Sequence, residues 1–363
     1  MSELSREKIE QALDQVIDPH LGQSLVAAKT VKDIRIEGES VAIDLTMPYP
    51  CARWSDELVE SVTGVLASQA GATDVAVNVS QKITAHSVQH GIKRLENVKN
   101  IVAVASGKGG VGKSTTSVNL ALALAAEGAS VGLLDADIYG PSQPRMLGLS
   151  GQPESADGKS LEPMENYGVQ AMSIGFLIDE ETPMIWRGPM VTQALEQLLN
   201  DTRWRDLDYL IIDMPPGTGD TQLTLAQKVP VSGAIIVTTP QDIALLDARK
   251  GLKMFEKVEV PILGIVENMS THICSQCGHE EHIFGEGGGA VMASEANIEL
   301  LGSLPLELSI RQQADSGKPT VVSDPDSRAA SIYREIARKA AAKLSQQAKD
   351  YSTKFPNIVI QNT

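Results

Sequence analysis

Residues 101–116 constrain this chain more than any other stretch: Ile-Val-Ala-Val-Ala-Ser-Gly-Lys-Gly-Gly-Val-Gly-Lys-Ser-Thr-Thr. A short apolar, largely β-branched run, Ile101 to Ala105, stops abruptly at glycines. An amphipathic helical pattern then opens at Lys113 and runs through Val118, Leu120, Leu122 and Leu124 to Gly128. A buried strand, a glycine loop and a helix N-terminus, in that order, make a site for phosphate. Without Cβ atoms, the glycines let backbone N–H groups turn inward around an anion. The candidate nucleotide contacts are therefore Gly107, Lys108, Gly109, Gly110, Val111, Gly112, Lys113, Ser114 and Thr115. Lys113 brings a point charge to the β- and γ-phosphates of ATP, and the Ser114 hydroxyl is a ligand for Mg²⁺. Gly107, Gly109 and Gly112 also satisfy a dinucleotide fingerprint, with Asp135 about 20 residues further on. Lys113-Ser114 directly after the last glycine decides for the phosphate loop, because a dinucleotide loop has no need of them.

Lys108 is a second lysine where one already serves the phosphates. It reads either as a solvated surface residue or as a cation offered to the nucleotide of a second subunit, as an arginine finger is.

The chain of 363 residues has room for two domains. A formal net charge of −15 argues against broad nucleic-acid binding, which takes a basic surface. There is no apolar run of membrane-spanning length, and the N-terminus lacks a signal-peptide core, so a cytoplasmic protein without membrane or nucleic-acid partners is expected. Three cysteines, Cys51, Cys274 and Cys277, do not make a disulfide framework.

Residues 1–85 read as a small α+β unit. A helical spacing runs from Leu4 to Ile17, a hairpin of strands lies within 31–46, a helix spans Asp56 to Ala70, and Val75, Val77 and Val79 alternate as a third strand. Cys51 reads as a lone half-buried thiol. Residues 86–98 are polar and poorly periodic, a linker whose His86 and His90 are expected in solvent. Residues 99–345 form the large domain and 346–363 a tail. Apolar strands at 131–134, 209–212, 234–238 and 262–266, separated by helical patterns, define an α/β fold with a doubly wound, mostly parallel sheet. Its ligand belongs at the strand C-termini. The helix Ser327 to Leu344 has an alanine-rich apolar face, and its expected docking site is the parent domain rather than a membrane.

The strand ends carry the remaining chemistry. Asp213 is placed to hold Mg²⁺, and Pro215-Pro216-Gly217 makes a stiff turn whose Gly217 N–H is placed to meet a γ-phosphate. Asp135 and Asp137 frame a first switch that continues to Ser142, and the two are expected to differ in duty. Asn268 ends another strand; it reads as a turn asparagine or, by its resemblance to the asparagine that reads an adenine edge, as an amide offering adenine both donor and acceptor. Cys274-x-x-Cys277, with His272, His279 and His282 around it, fits zinc in one chain or half the four thiolates of a [4Fe–4S] cluster. If Lys108 implies a symmetric homodimer, two chains supply all four.

Gly-Lys-Gly-Gly-Val-Gly-Lys-Ser-Thr and Asp-x-Pro-Pro-Gly resemble the deviant Walker A ATPases, among them MinD, ParA and nitrogenase iron protein. That resemblance implies a nucleotide-sandwich homodimer in which Lys108 acts across the interface, Asp137 orients the attacking water and Asp135 helps arrange the magnesium shell. Residues 1–85, with Val-Ile-Asp-Pro-His-Leu-Gly and Pro-Tyr-Pro-Cys51, resemble an iron–sulfur-assembly domain. The cysteine pair with Gly278, the Ile283 to Gly289 run and the Leu301-Gly-Ser-Leu-Pro305 segment is similar to the Mrp/ApbC (Nbp-type) iron–sulfur carriers. Trp186-Arg187-Gly188-Pro189 belongs to the same likeness without an assigned role. The resemblance implies an ATP-hydrolysing carrier that passes a [4Fe–4S] cluster to apo-proteins; the alternative is a MinD/ParA-like positioning switch with zinc on the cysteines.

Overall fold

The computed structural model describes residues 4–177, 188–274 and 276–350. In the N-terminal unit α1 (Arg6–Leu13) is followed by the two-residue strands β1 (Ile17–Asp18) and β2 (Gln23–Ser24). A three-stranded sheet, β3 (Val31–Glu37), β4 (Ser40–Met47) and β5 (Asp74–Gln81), completes it with α2 (Ser55–Val65). Along β4 the buried positions alternate, Val41, Ile43, Leu45 and Met47 facing the core. β3 and β4 form an antiparallel hairpin, whereas β5 joins β4 in parallel, so α2 is a crossover helix. The first helix is shorter than its periodicity suggests. Ser5 Oγ accepts from Lys8 N at its start, and the chain has turned into β1 by Ile17. The second helix gives way to a π turn at Leu66–Ala70, closed by Gly71 at φ +76°.

The large unit opens with β6 (Val98–Ala105), α3 (Lys113–Ala126), β7 (Val131–Asp135), α4 (Gln143–Met146), β8 (Met164–Asn166) and β9 (Val169–Ser173). Next come α5 (Gly188–Asp201), β10 (Leu207–Asp213), α6 (Asp220–Lys228), β11 (Gly233–Thr238), α7 (Asp242–Lys257) and β12 (Ile262–Glu267). A small hairpin, β13 (His272–Ile273) with β14 (Glu280–Glu281), precedes α8 (Gly288–Ala296), β15 (Leu300–Ser303), α9 (Leu308–Asp315), α10 (Thr320–Ser323) and α11 (Arg328–Ser345). Eight strands pair in the order β15-β12-β11-β6-β10-β7-β9-β8. Every neighbour is parallel except β8 against β9. Both faces are covered. Val102, Val104, Leu120, Ile235 and Ala337 belong to the core beneath α3 and α11; Ala103, Leu198, Leu210, Leu225 and Phe255 belong to the core beneath α5 to α7. This is the doubly wound α/β fold expected, with β8, β9 and β15 added.

The two units are joined by hydrogen bonds from His20 and from the Arg53 backbone to acidic side chains of the large unit. Glu127, wholly buried at the C-terminal end of α3, accepts from Arg53 N at 2.9 Å and Arg338 Nη1 at 2.7 Å. Arg338 Nη2 also reaches Glu335 Oε2 at 2.9 Å, and His20 Nε2 lies 3.0 Å from that same oxygen. Behind His20, Tyr49 donates to the buried Asp18 at 2.7 Å. α11 thus docks on its own chain through Ile336 and Leu344, as its apolar face requires.

One expectation about the linker is overturned. His86 is only 2% exposed: its Nδ1 lies 2.9 Å from Asn100 Oδ1, and its backbone bridges to Lys349. His90 is exposed as expected, and no helix places the two histidines together. Gln89 is buried as well, donating to Ala226 O at 2.8 Å and accepting from Val231 N at 3.1 Å, whereas Lys93 and Glu96 stay in solvent as expected of a linker. Cys51 is corrected likewise: it is buried, not half-buried, and its thiol is pushed up to about 12, first by burial and then by Glu127.

Candidate functional site

The parallel register sets the site. Asp213, last in β10, stands opposite Val104 of β6 on one side and Asp135 of β7 on the other. Three strand ends therefore bring the glycine loop and two buried carboxylates together. The loop turns at Gly110 (φ +82°) and Gly112 (φ +83°), a conformation side chains disfavour, and Gly112 is the N-cap of α3. Gly107 is required for a different reason. A Cβ there would stand 2.1 Å from the Asp247 backbone of α7, so the loop packs on that helix at glycine distance.

Above the loop lies a cavity of about 320 Å³. Its lining includes Lys108, Gly109, Gly110, Gly112, Lys113, Ser114, Thr115 and Asp137, with Ser142, Pro216 and Met269. A larger cleft, about 790 Å³, opens beside linker residues such as Arg94 and the α5–α6 surface, but no cluster of catalytic groups converges there.

Lys113 is buried. Its Nζ donates to Asp213 Oδ1 at 2.6 Å and lies 3.2 Å from Ser114 Oγ and 3.9 Å from Asp137 Oδ2. Asp213 also accepts from Ser117 Oγ at 2.9 Å and, on its other oxygen, from Gln143 Nε2 at 2.9 Å. A cation of the chain's own thus rests among Asp213, Asp137 and the Ser114 hydroxyl. Hard oxygen donors around a positive charge, beside a phosphate loop, suit Mg²⁺. The residues present fit that ion and a nucleoside triphosphate.

Asp135 and Asp137 have different surroundings because β7 ends at Asp135 and the chain turns at once, Ile138 N donating to Ala136 O and Gly140 N to Asp137 O; in a continuing strand, residues two apart would share a face. Asp135 is fully buried and points away from the cavity. It accepts from Asp137 N at 3.1 Å, Ser142 N at 3.0 Å, Gln143 N at 3.1 Å and Ser173 Oγ at 3.1 Å. Burial, then the charge of Asp213, raises its pKa. Asp137 faces the cavity, and burial raises its pKa against the pull of Lys113. Gly217 N–H donates to Ser106 O at 3.0 Å, so in this arrangement it is engaged with the loop rather than open to a phosphate. Asn268 likewise turns its amide to the loop, Nδ2 donating to Val111 O at 2.9 Å. Its neighbour Met269 holds φ +57°, a strained conformation for a methionine at the cavity wall.

The segment leaving β12 carries Asn268 and then the β13–β14 hairpin, whose tip holds the cysteines. Cys274 N donates to His279 O at 2.9 Å and Gly278 N to Cys274 O at 2.8 Å, closing a tight knuckle with Gly278 at φ +69°. Backbone N–H groups of Gln276 and Cys277 lower the pKa of the Cys274 thiol. Cys277 is exposed. Two of the histidines are engaged by backbone carbonyls: His272 Nδ1 lies 3.1 Å from Leu306 O, and His282 Nδ1 lies 2.9 Å from Ser270 O. Among the described residues no group of three or more His, Cys, Asp or Glu gathers to hold a metal. Arg187 lies outside the described residues. Gln143 is the residue sequence reasoning missed; a polar side chain just past Ser142 gave no signal until the sheet register placed it against Asp213.

A parallel sheet with a lysine-bearing phosphate loop at its switch point defines a P-loop NTPase. The model for "NUBPL iron-transfer P-loop NTPase" matches residues 97–341, and that for "Iron-sulfur cluster assembly protein" matches 6–79. The chain belongs to this family of iron-transfer P-loop NTPases, with an iron–sulfur-assembly domain at its N-terminus. It is 49% identical to the iron–sulfur cluster carrier protein of Escherichia coli K12, over 96% of this chain and 97% of that one. A Pseudomonas fragi protein of the same name is 62% identical over 74% of this chain and 94% of its own. Among solved structures, a nucleotide-binding protein of Archaeoglobus fulgidus in complex with ADP is 38% identical, with a TM-score of 0.57. It covers 64% of this chain and 91% of its own. The cell division ATPase MinD of Pyrococcus furiosus shares the fold, at 23% identity and a TM-score of 0.50 over 66% of this chain and 97% of its own. No helix among the described residues is long and apolar enough to cross a membrane.

Proposed function

We propose that this protein is an ATP-hydrolysing iron–sulfur carrier that works as a homodimer, holding a [4Fe–4S] cluster between subunits and passing it to apo-proteins in the cytoplasm. Residues 1–85 and 99–345 act as separate domains joined at 86–98, and neither membrane nor nucleic acid takes part. The backbone from Gly107 to Thr115 cradles the phosphates. Lys113 leaves Asp213 for the β- and γ-phosphates, and Ser114 and Asp213 hold Mg²⁺, which supplies charge neutralisation at the transferring phosphoryl group. Asp137 orients the attacking water, Asp135 fixes the switch, and Asn268 reads the adenine. Lys108 meets the partner's nucleotide.

The observation that carries the reading is the knuckle. Two thiols sit at an exposed tip, one with its thiolate favoured by backbone N–H groups, and one chain supplies only half of a cluster's ligands. Transfer is ligand exchange: iron–sulfur bonds to Cys274 and Cys277 break as bonds to recipient thiolates form, without a change of oxidation state. The relatives named as cluster carriers support this role. Nucleotide coupling runs through the switches at 135–142 and 213–217.

Anaerobic reconstitution followed by iron, sulfide and mass measurement tests it. The expected result is a dimer with four irons per two chains, and apo monomer for Cys277→Ala. Uptake of zinc alone by a monomer overturns it in favour of a zinc-bearing positioning switch.

A further inference from the structure

We propose that Gln143 is a positioning residue for the magnesium–nucleotide centre, tying the first switch to the carboxylate that holds the metal. The proposal rests on the ATP reading above and adds a residue to that site.

Gln143 is 1% exposed. Its Nε2 donates to Ser114 O at 3.0 Å and Asp213 Oδ2 at 2.9 Å. Both partners accept only, so the orientation of the amide is fixed by chemistry; the flipped form would set oxygen against oxygen. The Gln143 backbone N–H donates to Asp135 Oδ2 at 3.1 Å. One residue therefore touches the phosphate loop, the β10 carboxylate and the base of the first switch. Lys113 touches the same elements, but it is the group expected to move to the phosphates, whereas Gln143 carries no charge and is held by hydrogen bonds.

The amide is also unfinished. Gln143 Oε1 is buried without a hydrogen-bond partner, and so is the Oγ of Ser142, which lines the cavity. Leaving a buried acceptor unmet costs about 1–3 kcal/mol, so Oε1 calls for a donor that no described residue supplies. Mg²⁺ dehydrates reluctantly and keeps several waters, each a strong donor. A water of that shell would supply the donor Oε1 lacks. When Lys113 moves to the phosphates, Asp213 keeps Ser117 and Gln143 as its remaining partners, and a switch displaced with Gln143 would loosen the metal.

The test is binding of a fluorescent ATP analogue to the full chain, titrated with magnesium chloride or held in EDTA. Gln143→Glu sets a like charge on Asp213 and removes the donor. It is expected to raise half-saturating Mg²⁺ by about 10-fold or more, the usual effect of losing a partner of a metal ligand. Affinity in EDTA should stay within about threefold of wild type, because that shell then plays no part. If Gln143→Glu does not fold, Gln143→Met keeps the volume without either polar end and carries the same expectation. Unchanged half-saturating Mg²⁺, or equal losses with Mg²⁺ and with EDTA, overturns the proposal and leaves the ATP site standing. Wild type that binds no nucleotide overturns the underlying reading instead.

Discussion

Lys113 Nζ stands 2.6 Å from Asp213 Oδ1, so the phosphate loop's own ammonium lies against the carboxylate suited to Mg²⁺. Cation and metal compete for one oxygen. On the function proposed, phosphate resolves the contest by drawing the lysine away, and metal and nucleotide binding become mutually dependent.

Lys113→Met is therefore expected to do two opposite things. Nucleotide affinity falls, and the wholly buried Asp213 is left without its cation. Removing one partner of a buried pair costs about 3–5 kcal/mol, and hydrogen bonds from Ser117 and Gln143 bring the expected loss toward about 2–3. Mg²⁺ alone should restore part of that loss in the variant while leaving wild type unmoved. Thermal melts with and without magnesium chloride decide it; a variant that melts like wild type in both removes the competition.

The three thiols are expected to separate by reactivity. Backbone N–H groups favour the Cys274 thiolate, whereas burial and the charge of Glu127 push Cys51 up to about 12. The thiolate is the reacting species, so alkylation near neutral pH should mark Cys274 first and leave Cys51 untouched until the domain unfolds. Peptide mapping after timed iodoacetamide treatment reads the order. Early modification of Cys51 would show that the interface around it opens in the native protein.

Much of this was legible in the sequence for local reasons. A strand, a glycine loop and Lys113-Ser114 leave little freedom, and apolar runs separated by helical periods force a parallel sheet. What stayed hidden depends on non-local register. Nothing about Gln143 says that β10 will lie between β6 and β7 and bring Asp213 within reach of its amide. His86 was misread because a polar stretch looks solvated until Asn100 and the segment at Lys349 close over it. β8 and β9 are a short antiparallel pair at the sheet edge, where periodicity is too brief to register.

The clamp between the two units is expected to fail in acid. The hydrogen bond with His20 comes first, and with Arg338 it holds the Glu335 carboxyl at about 2, below its ordinary 4.5. A depressed acid contributes stability that is fully present above about 4.5 and is lost as pH falls toward 2. Glu335→Gln should thus lower the melting temperature at neutral pH and flatten its decline between those values. The larger effect belongs to Arg338→Ala, which strands the buried Glu127 with Arg53 N as its remaining side-chain-oxygen donor; about 3 kcal/mol is expected. Calorimetry should resolve the two units into separate transitions in that variant. A single unshifted transition would deny the clamp.

Lys108 gives the sharpest test of the dimer. It lines the cavity mouth beside Gly109, and among the described residues its ammonium makes no ion pair or hydrogen bond, in contrast to the buried Lys113. Among the described residues its charge has no partner, and charge-assisted hydrogen bonds to a partner's triphosphate would offset the cost of desolvating it only in the two-chain state. Lys108→Ala should accordingly bind ATP within about threefold of wild type while losing ATP-induced association and at least about 10³-fold in hydrolysis, the lower end of what a finger residue contributes. Sedimentation with and without ATP, alongside phosphate release, separates the outcomes. Loss of hydrolysis with dimerisation intact would confine Lys108 to the chemistry, and dimerisation with full hydrolysis would return it to the solvent-exposed surface.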